Sequence, residues 1–330
     1  MASVDVVIPN YNYGRYLGEA VRSVLSQDVE RLRVLVIDNA STDDSAEIAR
    51  EIARKDPRVE IRVRRRNLGL HASLNEGIEW AESEYFMILC SDDLLLHGAL
   101  RCAASVMDAH PEVHLVYGSA LPHHGENPPA GLSVTAAAPV QVASGTEFLQ
   151  TICRTGRSPI FGPAAVVRTA AQKEAGPYNV DLPHMCDVEM WMRFALLGSI
   201  AKVESDLLIF RSHGENRQNS LRTVHDKNEE MEAVFRAFFA GPGAAHSSAH
   251  FLKRRSDRGL ALLAYWSLCL HIVRRERGCL DLLNFILRHQ PSLLLLPPLG
   301  EFFRRPDAWR KLRWAAAQAR PAGRDRLLNN

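Results

Sequence analysis

The sequence predicts an α/β fold, with a mainly parallel sheet flanked by helices and a helical C-terminal extension. Three observations carry that prediction. Strand-like apolar runs alternate with segments of helical period from Val4 to Cys90. The connections between them are short, which favours parallel strands joined by right-handed crossovers. From His225 onward apolar residues recur only at helical spacing.

Residues 4–9 (VDVVIP) read as the first strand, and Asn10, Tyr11, Asn12, Tyr13 and Gly14 follow as a turn-forming loop. Leu17, Ala20, Val21, Val24 and Leu25 then lie on one helix face. Residues 32–37 form a second strand that ends at Asp38. Ser41 or Thr42 would start the helix that carries Ala46, Ile48, Ala49 and Ile52. Residues 59–63 are a third strand, and 72–80 a helix leading into a fourth strand over 85–90 (YFMILC). The stretch 121–139, rich in Pro, Gly, His and Ala, reads as an irregular surface excursion. Helices are expected over 147–153 and 187–197, the second ending at Gly198, with a short strand over 164–167 between them.

At 330 residues and 46% hydrophobic content, the chain can bury one large core, or one core with an appendage. Its six cysteines show no C-x-x-C spacing and fit reduced thiols in a reducing compartment. The stretch MASVDVVIP lacks a basic region, apolar block and cleavage site, so no secretory leader is expected. No apolar run approaches the roughly 18 residues of a membrane span. A cytoplasmic location follows, at the inner face of the cell membrane if the C-terminal part touches lipid.

Residues 1–220 hold 21 Lys/Arg against 28 Asp/Glu, whereas 221–330 hold 19 against 10. An acidic body, 1–220, with a basic helical extension, 221–330, tells against a dedicated nucleic-acid binder.

The polar residues collect at strand ends. Tyr11, Asp38, Arg66 and the pair Asp92 and Asp93 each follow the carboxyl end of a successive strand, where open α/β sheets bind ligands. Adjacent aspartates repel unless compensated, and hard divalent cations prefer carboxylate oxygens. A metal ion holding a diphosphate satisfies both conditions. The plainer alternative is that Asp92 and Asp93 cap a helix starting near Leu95. Asp187 falls in the first turn of its helix, where the dipole favours a carboxylate or a simple cap.

VVIPNYNYGRYLGEAVRSVLSQ, VIDNASTDDS, RNLGLHASLNEGI, the SDD after an apolar strand and CDVEMWMRFALLG occur in that order. Together they resemble the motifs of family 2 glycosyltransferases with the GT-A fold, a Rossmann-like sheet, over about residues 3–215. The resemblance implies transfer of a sugar from a nucleotide diphosphate donor to an acceptor hydroxyl with inversion. It implies that Pro9, Asn10, Tyr11 and Asp38 line the base and ribose pocket, with Arg66 on the base or phosphate side and Asp92 on the ribose. It implies Mn2+ or Mg2+ on Asp93 and His213, and Asp187 as the catalytic base. Two departures stand out: Cys90 and Cys186 occupy positions where an aspartate and a glutamate are common.

The chemistry suits those residue types. A divalent ion stabilises charge growing on a departing diphosphate, and a carboxylate removes the acceptor proton. Glu189 is the fallback base, although i and i+2 do not share a helix face. The expected partners are a UDP sugar, with dTDP or GDP sugars as alternatives, and a glycan or lipid-linked acceptor. The basic extension is expected to pack on the body or in a homodimer, with peripheral membrane contact through 250–320 as the alternative. Other readings of the chain are a degenerate GT-A fold that binds glycan or a partner without catalysis, and a nucleotidyltransferase. The latter lacks its expected Gly-rich phosphate loop after the first strand.

Overall fold

The computed structural model describes residues 2–125, 128–129, 131–135, 137–162, 165–214 and 223–295. The part of the expected membrane contact over 296–320 lies outside the described residues.

Strand β1 (Ser3–Asn10) is buried along nearly its whole length. Its side chains alternate between two cores, as the two-residue strand period requires. Val6 and Ile8 face the helices α1 (Gly14–Leu25), α2 (Ser45–Lys55) and α4 (Ala99–Ala109), whereas Val7 faces the layer containing α3 (Leu70–Trp80). Val7 and α3 approach so closely that a Cβ at Gly77 would come within 2.8 Å of the valine.

β1 pairs in parallel with β2 (Arg31–Asp38) and β4 (Tyr85–Ile88), and β2 with β3 (Val59–Val63). The sheet order is β3-β2-β1-β4, continued by β8 (Ala165–Arg168), β6 (Val113–His123), β9 (Ser199–Arg211) and β5 (Leu94–Leu95). β7 (Val140–Ala143) also pairs with β9. The four leading strands are parallel, and β8, antiparallel to both β4 and β6, makes the sheet mixed. Parallel order brings the carboxyl ends of β1, β2, β3 and β4 to one edge.

The helix-cap reading of Asp92 and Asp93 is overturned. Leu94 and Leu95 pair with Ile209 and Leu208 of β9, and α4 starts only at Ala99, after Gly98 in the left-handed region at φ 83°. Burying Leu95 and Leu96 under the sheet decides this locally. β9 itself is hard to read from the chain, because Lys202, Glu204, Ser205 and Asp206 interrupt its apolar pattern.

The later helices are α5 (Gly145–Thr155), α6 (Thr169–Ala175), α7 (Cys186–Leu197), α8 (Val224–Ala240), α9 (Ala249–Arg274), α10 (Cys279–His289) and α11 (Ser292–Leu295). Phe148, Leu149 and Ile152 of α5 share one core with Leu252, Leu260 and Ala264 of α9 and Phe285 of α10. Each Leu, Ile or Phe among them contributes roughly 1.5–3 kcal/mol by leaving water. A Cβ at Gly259 would meet the Cys153 carbonyl oxygen at 2.4 Å, so glycine permits this helix contact. The extension therefore packs on the body. Among the described residues no helix is long and apolar enough to cross a membrane.

Candidate active site

At the carboxyl end of β1 and β2, Asn10 Nδ2 donates to Asp38 Oδ2 at 3.0 Å, and the Ser41 hydroxyl donates to the same oxygen at 2.6 Å. The Ser41 amide reaches Asp38 Oδ1 at 3.1 Å, so the carboxylate is fully enclosed by its own loop. Asn12 and Ala40 both take left-handed backbone, at φ 58° and 64°, an uncommon conformation for residues with a Cβ. The Asn12 amide donates to Ser41 Oγ at 2.9 Å, and Asn12 Oδ1 accepts from the Thr42 amide at 2.7 Å. This tie between two loops leaves Tyr11 at their crest, 45% exposed, with its ring open to a ligand.

Arg66 is exposed beyond β3. The arginine woven into the strand ends is instead Arg64, whose Nη1 donates to Asn39 Oδ1 at 3.0 Å and Ser73 Oγ at 3.1 Å. Asn39 in turn donates to Asn67 Oδ1 at 2.7 Å. The two arginines differ by two positions, and only the contacts from β2 and α3 tell them apart.

After β4 the chain curls, with the Asp93 amide donating to the Cys90 carbonyl at 3.1 Å. Ligand atoms of Cys90, Asp92 and Asp93 then all lie within 4.8 Å of one another. Asp93 is 1% exposed; one oxygen accepts the Arg211 amide at 3.1 Å. Its other oxygen has no hydrogen-bond donor among the described residues. Burial, and then the neighbouring Asp92 charge, push the Asp93 carboxyl up to about 8. A buried acceptor beside a second carboxylate is a donor set that fits a divalent cation.

His213 reaches this cluster through Asp92, its Nε2 lying 3.1 Å from Asp92 Oδ2. Its ring stacks on Tyr16 at 5.0 Å and meets Tyr13 edge-on at 5.5 Å. Arg211 lies over the same Tyr16 ring and pairs with Glu19. Helix α1 thus positions the last strand of the sheet against the aspartates.

Asp187 stands in the first turn of α7, with Oδ1 accepting the Val188 amide at 2.9 Å. Burial pushes its carboxyl up to about 6 against that opposing amide bond. The α7 entrance is held from the extension: Glu230 Oε1 accepts the His184 and Met185 amides at 2.8 and 3.2 Å. The path to the aspartate pair is short. Gly162 lies against Asp187, its neighbour Phe161 packs on Phe210 at 4.6 Å, and the next residue, Arg211, holds Asp93.

Glu189 does not share this position as a free base. It is buried in an ion pair, its Oε2 accepting from Arg193 Nη2 at 2.8 Å and Nε at 3.1 Å. That pair tells against the fallback reading.

A family model described as Glycosyl transferase family 2 matches residues 5–156, a span that contains β1 to β4, the Asp38 loop and the Asp92–Asp93 turn. That stretch, a little under half of the chain, is where the likeness to glycosyl transferase family 2 lies. An uncharacterized glycosyltransferase of Haemophilus influenzae is 25% identical over 236 residues, covering 71% of this chain and 72% of that one. Glycosyltransferase GlyG of Streptococcus pneumoniae is 36% identical over 92 residues, 28% of this chain and 31% of GlyG. The aligned region is thus under a third of that relative. Among solved structures, S. aureus TarS 1–349 in complex with UDP-GlcNAc superposes with a TM-score of 0.64 at 18% identity. It covers 96% of this chain and 90% of that one, and so extends the GT-A likeness through the helical extension.

Sequence reasoning did not single out Ser41, Arg64, Arg211, Gly162 or Glu230 as neighbours of these residues. Ser41 carried a signal, since a hydroxyl three residues past a strand-end aspartate can close back on it. The other four act through distant chain segments and left none.

Proposed function

We propose that the chain transfers a glycosyl group from a nucleotide diphosphate sugar to an acceptor hydroxyl, with inversion, in polysaccharide or other glycoconjugate assembly. The observation that carries this reading is the linkage of Asp187 to the Asp92–Asp93 turn through Gly162, Phe161, Phe210 and Arg211. Base and leaving-group sites must face each other for in-line displacement.

Pro9, Asn10, Tyr11, Asp38 and Arg66 line the nucleoside side, with Asp92 at the ribose. Tyr11 offers its exposed ring to the base, and Asp38 holds the loop that carries it. Asp93 and His213 would hold Mn2+ or Mg2+, which when bound stabilises negative charge on the diphosphate. The acceptor oxygen bonds to the anomeric carbon as the sugar–phosphate bond breaks, and the electron pair leaves with the diphosphate. The acceptor proton passes to Asp187 Oδ2, since Oδ1 is engaged by Val188. A carboxyl near 6 is ionised at neutral pH yet basic enough to share a proton in the transition state.

Residues 1–220 act as the catalytic body and 221–330 as a basic helical extension. We place the chain in the cytoplasm, with the extension at the inner face of the membrane. Exposed Ile272 and Leu280 beside Arg275 and Arg277 support that contact. Sedimentation with anionic vesicles, lost in Ile272→Asp/Leu280→Asp, checks it; no binding by the wild type ends it.

The direct test is a thermal-shift screen with UDP, GDP, dTDP and CMP sugars, each with Mn2+ and with EDTA. UDP-GlcNAc comes first because the TarS neighbour is complexed with it. One nucleotide is expected to raise the melting temperature only with metal. A flat response to every donor overturns the reading.

A further inference from the structure

Cys90 stands at the end of β4 where the resemblance implies an aspartate, and the fold aims it at the cation site. We propose that Cys90 supplies a sulfur donor to that site, and that the site selects cations such as Co2+ and Zn2+ over Mg2+. The inference rests on the metal site of the functional reading and goes beyond it in naming the donor and the preference.

The turn closed by the Asp93 amide on the Cys90 carbonyl brings the three side chains to one side of the backbone. Their ligand atoms, Sγ and one oxygen from each aspartate, lie within 4.8 Å of one another. Neighbouring ligands on one ion lie roughly 3–4 Å apart at bonds of about 2.0–2.3 Å, so a small inward shift within that bound lets the three atoms share an ion. Asp93, 1% exposed, holds an oxygen with no donor among the described residues, so the cluster has an open acceptor besides the thiol. Cys90 is only partly buried and is not in a disulfide.

Ligand softness sets the preference. Mg2+ demands near-octahedral oxygen donors and gains little from sulfur, whereas Co2+ and Zn2+ bind thiolate well. Binding a cation would release the thiol proton to solvent, leaving the sulfur's electron pair on the metal. Replacing the thiol by a carboxylate would restore an all-oxygen site on the same turn.

The test is titration of Co2+ into the full chain, without nucleotide and again with UDP, followed by near-ultraviolet absorbance and calorimetry. A sulfur-to-cobalt charge-transfer band is expected in the wild type. Cys90→Ser and Asp93→Asn should lose the band, while Cys90→Asp should keep cobalt binding without it and gain Mg2+ affinity relative to Zn2+. Cobalt binding without the band, or a band that survives in Cys90→Ser, overturns the sulfur donor alone. No cobalt binding overturns it together with the metal part of the functional reading. A band accompanied by a flat donor screen leaves the sulfur donor standing and sinks the transferase reading.

Discussion

The Gly162 backbone lies directly against the Asp187 carboxylate, so closely that a Cβ at Gly162 would come within 2.7 Å of Oδ2. No real side chain tolerates that distance. Gly162→Ala should therefore push the carboxylate aside without disturbing the core. A displacement of about 1 Å can cost on the order of 10²-fold in rate, and a loss of that order in kcat is expected with donor KM unchanged. Retention of full kcat would mean that Asp187 is not positioned by this contact.

Asp187→Asn should lower kcat by about 10²- to 10⁴-fold while donor binding persists. In the wild type, kcat/KM should rise as pH climbs through about 6, because the base works only when deprotonated. The stability effect has the opposite direction. A carboxyl raised from 3.8 to about 6 binds more protons folded than unfolded in that window, so its contribution falls as pH rises through it. Asp187→Asn should thus melt higher than wild type at pH 7, read by calorimetry, even as activity disappears.

Glu230 reaches from α8 to hold two amides at the entrance of α7. Two hydrogen bonds at about 1 kcal/mol each are at stake. Glu230→Ala should reduce kcat by about tenfold, and Glu230→Gln, which keeps a carbonyl acceptor, should recover most of it. Equal behaviour of the two variants would remove the positioning role.

Glu189 and Arg193 form a buried pair one turn apart on α7, and Arg193 also donates to the Pro177 carbonyl at 2.9 Å. Truncating one partner strands the other charge, so Glu189→Ala should cost about 3 kcal/mol of stability. Specific activity of the protein that remains folded should hold near wild type. A collapse of kcat with unchanged melting would instead make Glu189 the base.

Much of the crevice was legible because strand periodicity and strand ends are local properties. The end of β2 at Asp38, and the fall of Asp92 and Asp93 after β4, follow from where apolar residues stop. The helix-cap reading of that pair failed because Leu94 and Leu95 had a distant strand to join, and no local rule can show it. The ties of Arg64 were illegible for the same reason: Asn39, Ser73 and Glu76, which bind it, come from other elements.

By itself, the chain determined the order of the first four strands and helices, and which polar residues stand at their carboxyl ends. Those features depend on backbone period and burial within a dozen or so neighbouring residues. Only the tertiary structure decided that Glu189 is paired with Arg193 under cover, that Arg211 anchors Asp93, and that α9 lies on α5 across Gly259. Each of these depends on which remote atoms meet, and that is settled by packing the whole chain into one core.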